Sequence, residues 1–252
     1  MKKLLLLVFC VLLAVAMAGC GNSSKEKAAG KILKVATDAN FPPYEYYQEK
    51  TKVHTGFDIG LMNALAKSMG YDKVEYINVD FKDILTGLNE KKYDAAIAGM
   101  TITPEREKLA TFTEPYVADS YRIIVAKNKN GKFLVSGKTV AVEEGSYSME
   151  LARQNGAAKL LPVKGVEETL KAVSEGLADC AVASSVSAGF FIAHGYGDKV
   201  KFADEKELLT DNIGIAVAKD NKALAEDMNK ALAELRRSGE YKNIYSSYFG
   251  AN

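Results

Sequence analysis

Apolar and polar positions recur with two different periods along this chain, and the switches between those periods mark its elements. Residues 32–37, 73–79 and 94–99 are short apolar runs of strand length, while 58–69 and 81–91 carry apolar residues at helical spacing. Leu61, Met62, Leu65 and Met69 share one helical face, and Phe81, Ile84, Leu85 and Leu88 share another. This is a βαβαβ unit. A second unit follows, with strands at 139–143, 159–163 and 180–184 and helices at 147–155 and 166–177. Gly214 to Ala218 then reads as one more strand and the tail as two helices parted near Ser238-Gly239. Leu224, Met228, Leu232 and Leu235 stripe the first of these. Tyr241, Ile244, Tyr245, Tyr248 and Phe249 stripe the second, as core packing rather than a ligand cage.

The two halves also match each other. Laying Leu85–Gly99 on Leu170–Ser184 pairs Leu85 with Leu170, Glu90 with Glu175, Asp94 with Asp179, Ala96 with Ala181 and Ala98 with Ala183. A second register lays Val35-Ala36-Thr37-Asp38 on Val140-Ala141-Val142-Glu143, again a strand ending at a carboxylate. Repeated βαβαβ units predict an α/β protein of two lobes, with 116–120 and 209–213 as the two crossings between them. Lobe 1 is expected to comprise 32–117 and 213–252, and lobe 2 to comprise 118–212. Open α/β sheets bind ligands beyond the carboxyl ends of their strands. Asp38, Gly99, Glu143 and Ser184 all fall there, so a cleft would gather them with the nearby Thr101, Arg106 and Ser146.

Composition narrows the choice of chemistry. The 252 residues open with Lys2 and Lys3, an apolar run from Leu4 to Ala18 and then Gly19-Cys20, a pattern too short for a membrane span and typical of a secretion signal. Met17-Ala18-Gly19-Cys20 resembles a lipobox, in which the cysteine takes a lipid and becomes the mature N-terminus. Residues 1–19 are therefore expected to be removed, and 20–31, polar and Ser/Gly/Lys-rich, to form a tether that anchors the protein outside the cytoplasm. Loss of Lys2 and Lys3 takes the formal charge from +1 to −1, which argues against a nucleic-acid partner. Cys180 then stands alone in an apolar strand, as a small hydrophobe. His54 and His194 are the two histidines and lack metal-ligand spacing, so zinc or Ser-His-Asp chemistry is poorly supported and neither metal nor cofactor is expected. There is no Walker A loop, no G-x-G-x-x-G and no G-x-S-x-G.

The most informative stretch is Asp94 to Arg106, where a buried strand runs into a helix start. Thr103 is placed to cap that helix and Pro104 to open it. Arg106, in its first turn, offers a planar fork that holds both oxygens of a carboxylate.

Together with Val35-Ala36-Thr37-Asp38-Ala39-Asn40-Phe41-Pro42-Pro43-Tyr44, Gly56-Phe57-Asp58-Ile59, Phe112-Thr113-Glu114-Pro115-Tyr116 and Gly214-Ile215-Ala216-Val217, this stretch resembles the extracellular solute-binding proteins of polar amino-acid ABC importers, often called solute-binding family 3. The resemblance covers 32–249 and implies a two-lobed periplasmic-binding-protein-like fold of type II, two hinge strands and a ligand clamped by closure. It implies an amino acid or related zwitterion as ligand, an ABC permease as partner and a monomer. Arg106 would grip the α-carboxylate, with Thr101 and Ser146 adding hydrogen bonds and the Gly99 carbonyl meeting the α-amine. Phe41 and Phe57 would form apolar walls, and Asp38 would face the ligand's far end.

One departure stands out. The family usually carries an aspartate for the α-ammonium where this chain has Ser184. Glu143, at the end of the matching strand, is the obvious substitute. Binding without chemistry is the reading favoured by these residues; the alternative is a cyclohexadienyl dehydratase-like enzyme, since the same lobes are known to host that activity.

Overall fold

The computed structural model describes residues 30–250 apart from 49 and 205, so the leader, Cys20 and most of the tether lie outside the described residues. The first apolar run forms β1 (Ile32–Thr37), buried from Val35 onward. A small antiparallel sheet of β2 (Asn40–Phe41), β3 (Glu45–Gln48) and β4 (Val53–Thr55) follows, which the periodicity does not announce because its strands are two to four residues long. The chain continues through α1 (Phe57–Ser68), β5 (Lys73–Asn78), α2 (Ile84–Asn89) and β6 (Ala95–Ala96). Helix α3 (Pro104–Leu109) and β7 (Ala110–Phe112) close this first pass, and β8 (Val117–Ala126) leaves it.

The second pass runs β9 (Thr139–Glu143), α4 (Tyr147–Gln154), β10 (Lys159–Val163), α5 (Val166–Ser174), β11 (Cys180–Ser184), α6 (Ser185–Phe191), β12 (Val200–Phe202) and β13 (Leu209–Ile213). The chain returns through β14 (Ala216–Ala218) and ends in α7 (Lys222–Ser238) and α8 (Glu240–Phe249), parted at the left-handed Gly239.

The sheets confirm two lobes. One is ordered β5-β1-β6-β14-β7 and the other β10-β9-β11-β8-β12, with β13 beside β8. Both units place their first strand between the second and third, all parallel. The likeness extends to single atoms. Asp94 takes a hydrogen bond from the Lys34 N–H of the neighbouring strand at 2.9 Å, and Asp179 takes one from Thr139 at 2.9 Å, at positions that the two registers of the sequence match place on each other. The two crossings are hydrogen-bonded neighbours, since β13 pairs antiparallel with β8 from Leu209↔Tyr121 to Ile213↔Val117.

Some elements are shorter than the pattern suggests. The 94–99 run keeps ladder geometry only at Ala95–Ala96, because Gly99 adopts φ 52 and turns the chain out of the strand. The 81–91 helix begins as a 3-10 turn at Phe81–Asp83. Cys180 is buried, and burial pushes its thiol up to about 12, far from a nucleophile's range.

Candidate functional site

Strand ends from both lobes meet in one cleft. It is lined by Asp38, Phe41, Gly99, Thr101 and Arg106 from the first lobe and by Glu143, Ser146 and Ser184 from the second, together with Glu45, Phe81, Tyr121 and Tyr147. The lobes are closed on it. A void of about 20 Å³ remains, room for about one water.

Arg106 is set by its helix start. Thr103 is the N-cap, its hydroxyl accepting from the Arg106 N–H at 3.2 Å, and Pro104 fills the first position. The guanidinium then spans the cleft. Nη1 donates to the Thr101 carbonyl at 2.7 Å in lobe 1 and Nη2 to the Gly145 carbonyl at 3.2 Å in lobe 2, while its plane lies over Phe81, 5.2 Å from the ring centre. Two of its five donors are thus used. Thr101 Oγ shares a 2.6 Å hydrogen bond with the Tyr121 hydroxyl, and Ser146 Oγ donates to the Glu143 carbonyl at 2.8 Å.

Carboxylates dominate the remaining wall. Burial raises Asp38 to about 6, although its Oδ2 accepts the Phe81 N–H at 2.9 Å. Burial and then the nearby Asp38 raise Glu143 to about 8, partly opposed by Arg106. Glu45 is 1% exposed, and neither of its oxygens has a donor among the described residues. Its neighbour Asp58 accepts from the Gly99 N–H at 3.0 Å and the Tyr116 hydroxyl at 2.7 Å through Oδ2, leaving Oδ1 without a donor. Burial raises Asp58 to about 6 and holds Glu45 well above the usual carboxylate range. A proton kept on Glu45 would give Asp58 a donor and leave one Glu45 oxygen open.

Gly99 is required where it stands. Beyond its positive φ, a Cβ there would lie 2.6 Å from the Phe41 ring. Ser184 caps α6, accepting from the Ser187 N–H at 3.1 Å, and donates its hydroxyl to Asp119.

The structure corrects one expected wall residue. Phe57 is fully buried at the start of α1 and does not line the cleft. Its ring packs against Tyr241, Tyr245 and Phe249 of the tail at 6.0, 5.8 and 5.0 Å, so the aromatic stripe is core and Phe57 is its partner. Phe81 occupies the cleft instead. The carboxyl-end rule reaches it, since Phe81 follows β5 by three residues, but its helical spacing with Ile84 and Leu88 assigned it to a packing face. Glu45 lies one residue past the Val35–Tyr44 stretch, and Asp119 sits on a crossing read only as connection.

Relatives carry the same architecture. The family model described as "Bacterial extracellular solute-binding proteins, family 3" matches residues 33–251. A probable histidine-binding protein of Neisseria gonorrhoeae is 31% identical, over 94% of this chain and 91% of its own. The arginine-binding extracellular protein ArtP of Bacillus subtilis is 30% identical, over 99% and 98%. A solved structure of an ancestral arginine-binding protein bound to glutamine superposes with a TM-score of 0.81 at 35% identity, over 88% of this chain and all of that one. With its two repeated sheets, its paired crossings and a family match spanning the whole described body, the chain belongs to the bacterial extracellular solute-binding proteins, family 3.

Proposed function

We propose that this chain is the extracytoplasmic solute-binding component of an ABC importer, anchored through a lipid on Cys20, and that its ligand is an amino acid carrying a second positive group. The observation that supports this most is charge. Asp38, Glu45 and Glu143 line the cleft, and among the described residues Arg106 is its one cationic lining residue. A buried cluster of that sign is costly unless protons or a cation balance it. Arginine- and histidine-binding relatives point the same way.

In this reading Arg106 holds the ligand α-carboxylate with its remaining donors, and Thr101 and Ser146 flank it. Phe41 and Phe81 cover the side chain, the Gly99 carbonyl and Ser184 face the α-ammonium, and Asp38, Glu45 and Glu143 take the cationic groups. Closing the two lobes over the ligand gives the permease a liganded form to recognise.

Titration calorimetry with L-arginine, L-lysine, L-histidine and L-glutamate tests it. Tight binding of at least one of the first three and none of the last is expected; preference for L-glutamate would remove the cationic assignment. Glu143, whose carboxyl burial pushes up to about 8, also suits a general acid, which is what favours the dehydratase reading. Conversion of prephenate or arogenate to an aromatic product by the purified protein would establish that reading in place of transport.

A further inference from the structure

Ser184 puts a neutral hydroxyl on the cleft wall, and the structure holds a carboxylate one hydrogen bond behind it. Asp119, on the hinge portion of β8, is buried, and it is absent from the cleft lining. Its carboxylate receives the Ser184 hydroxyl, the Ser120 N–H at 2.7 Å and the Ser185 hydroxyl at 3.2 Å. Three donors, from the hinge strand, from β11 and from the start of α6, converge on one buried acid. Burial pushes its pKa up and those donors, Ser184 first, pull it back.

The consequence falls on Ser184. A hydroxyl that has committed its proton to a carboxylate can only accept elsewhere, and one of its lone pairs already takes the Ser187 N–H. What Ser184 can offer a ligand is a single acceptor, backed by a negative charge. That suits an ammonium and repels a carboxylate.

Resting on the amino-acid reading above, we propose that Asp119 is a positioning residue for the ligand's α-ammonium, acting through Ser184 Oγ by fixing it as an acceptor and supplying the charge that a serine lacks. It touches no ligand atom itself. A role limited to stapling the hinge predicts a different pattern: because Ser184 itself donates to Asp119, loss of the staple lowers the melting temperature of either single variant, and a carboxylate moved to 184 does not restore affinity.

The test is a double-mutant cycle read by calorimetry with L-arginine, beside the melting temperature of each variant. Asp119→Asn is expected to weaken binding about tenfold in the wild-type background and less than twofold in Ser184→Ala. Ser184→Asp combined with Asp119→Asn, which moves the carboxylate to the cleft wall, is expected to recover affinity to within about threefold of wild type. Equal losses in both backgrounds, or no recovery in the combined variant, overturn the proposal. Asp119→Ser serves the same cycle if the asparagine variant does not fold. Wild-type protein that binds none of the twenty amino acids removes the amino-acid reading itself; wild type that binds L-arginine while the cycle is additive removes only the part given to Asp119.

Discussion

Replacing Glu143 with glutamine removes a charge that the folded chain disfavours before ligand arrives. Its carboxyl is displaced from 4.5 to about 8 by burial first and by Asp38 second. Between those values the folded state binds more protons than the unfolded one, so wild-type stability falls as pH rises from about 4.5 and levels off above about 8. At pH 7 the gap is about 2.5 pH units, a ceiling near ~3 kcal/mol, and an amide needing its own partners brings the net to about 1–2 kcal/mol. Glu143→Gln should therefore melt about 2–8 °C higher than wild type at pH 7, with the difference vanishing near about pH 6 and reversing below it. Ligand binding should show the opposite sign. A cation drawn to Glu143 expels its proton, so wild-type affinity for L-arginine should rise up to about tenfold per pH unit between pH 5 and 8, with close to one proton released at pH 7. The glutamine variant should release fewer and bind at least tenfold more weakly at pH 8, a larger loss than Ser184→Ala causes. Calorimetry in two buffers of different ionisation enthalpy measures the protons, and thermal melts over pH 4.5–8.5 measure the stability. Identical proton release in wild type and variant, or identical melting profiles, would refute the assignment of this charge to Glu143.

Arg106→Ala removes both the carboxylate fork and the bridge from Thr101 to Gly145, and should weaken L-arginine binding at least tenfold, about 1.4 kcal/mol, while melting stays close to wild type; unchanged affinity would return Arg106 to a helix-surface role. Gly145 has φ 78, and a Cβ there would lie 2.8 Å from Lys82 across the cleft, so Gly145→Ala should hold the lobes apart and enlarge the liganded protein in small-angle scattering, beyond a strain of about 1 kcal/mol. Fatty-acid labelling should mark wild type and miss Cys20→Ser; equal labelling would remove the anchor.

The elements that were legible in the sequence are those whose period is long enough to measure. Helix α7, which stops at the expected Ser238-Gly239 break, and five strands of the two βαβαβ units fall close to expectation, while 94–99 keeps only Ala95–Ala96. The β2–β4 sheet is invisible because a strand of two residues has no period. At the site, eight of the expected residues meet in one cleft, since the ends of parallel strands must gather there whatever the side chains are. Phe57 fails for a different reason. A motif fixes which residue occupies a helix start and leaves open which face that start presents, and here the tail helices claim it. Glu45 and Asp119 escape notice because a buried acid reads like any surface acid until its neighbours are known.

The pairing of β8 with β13 has a consequence for what the protein can communicate. Two strands laced by hydrogen bonds over five positions resist sliding and stretching but bend and twist together, so the lobes swing about one shared ribbon rather than about two independent joints. On that ribbon a bound and an empty form would differ chiefly in a single angle. A membrane partner touching the outer surfaces of both lobes would be reading that angle and not the solute, and any molecule able to draw the ribbon to the same bend would be passed on as cargo.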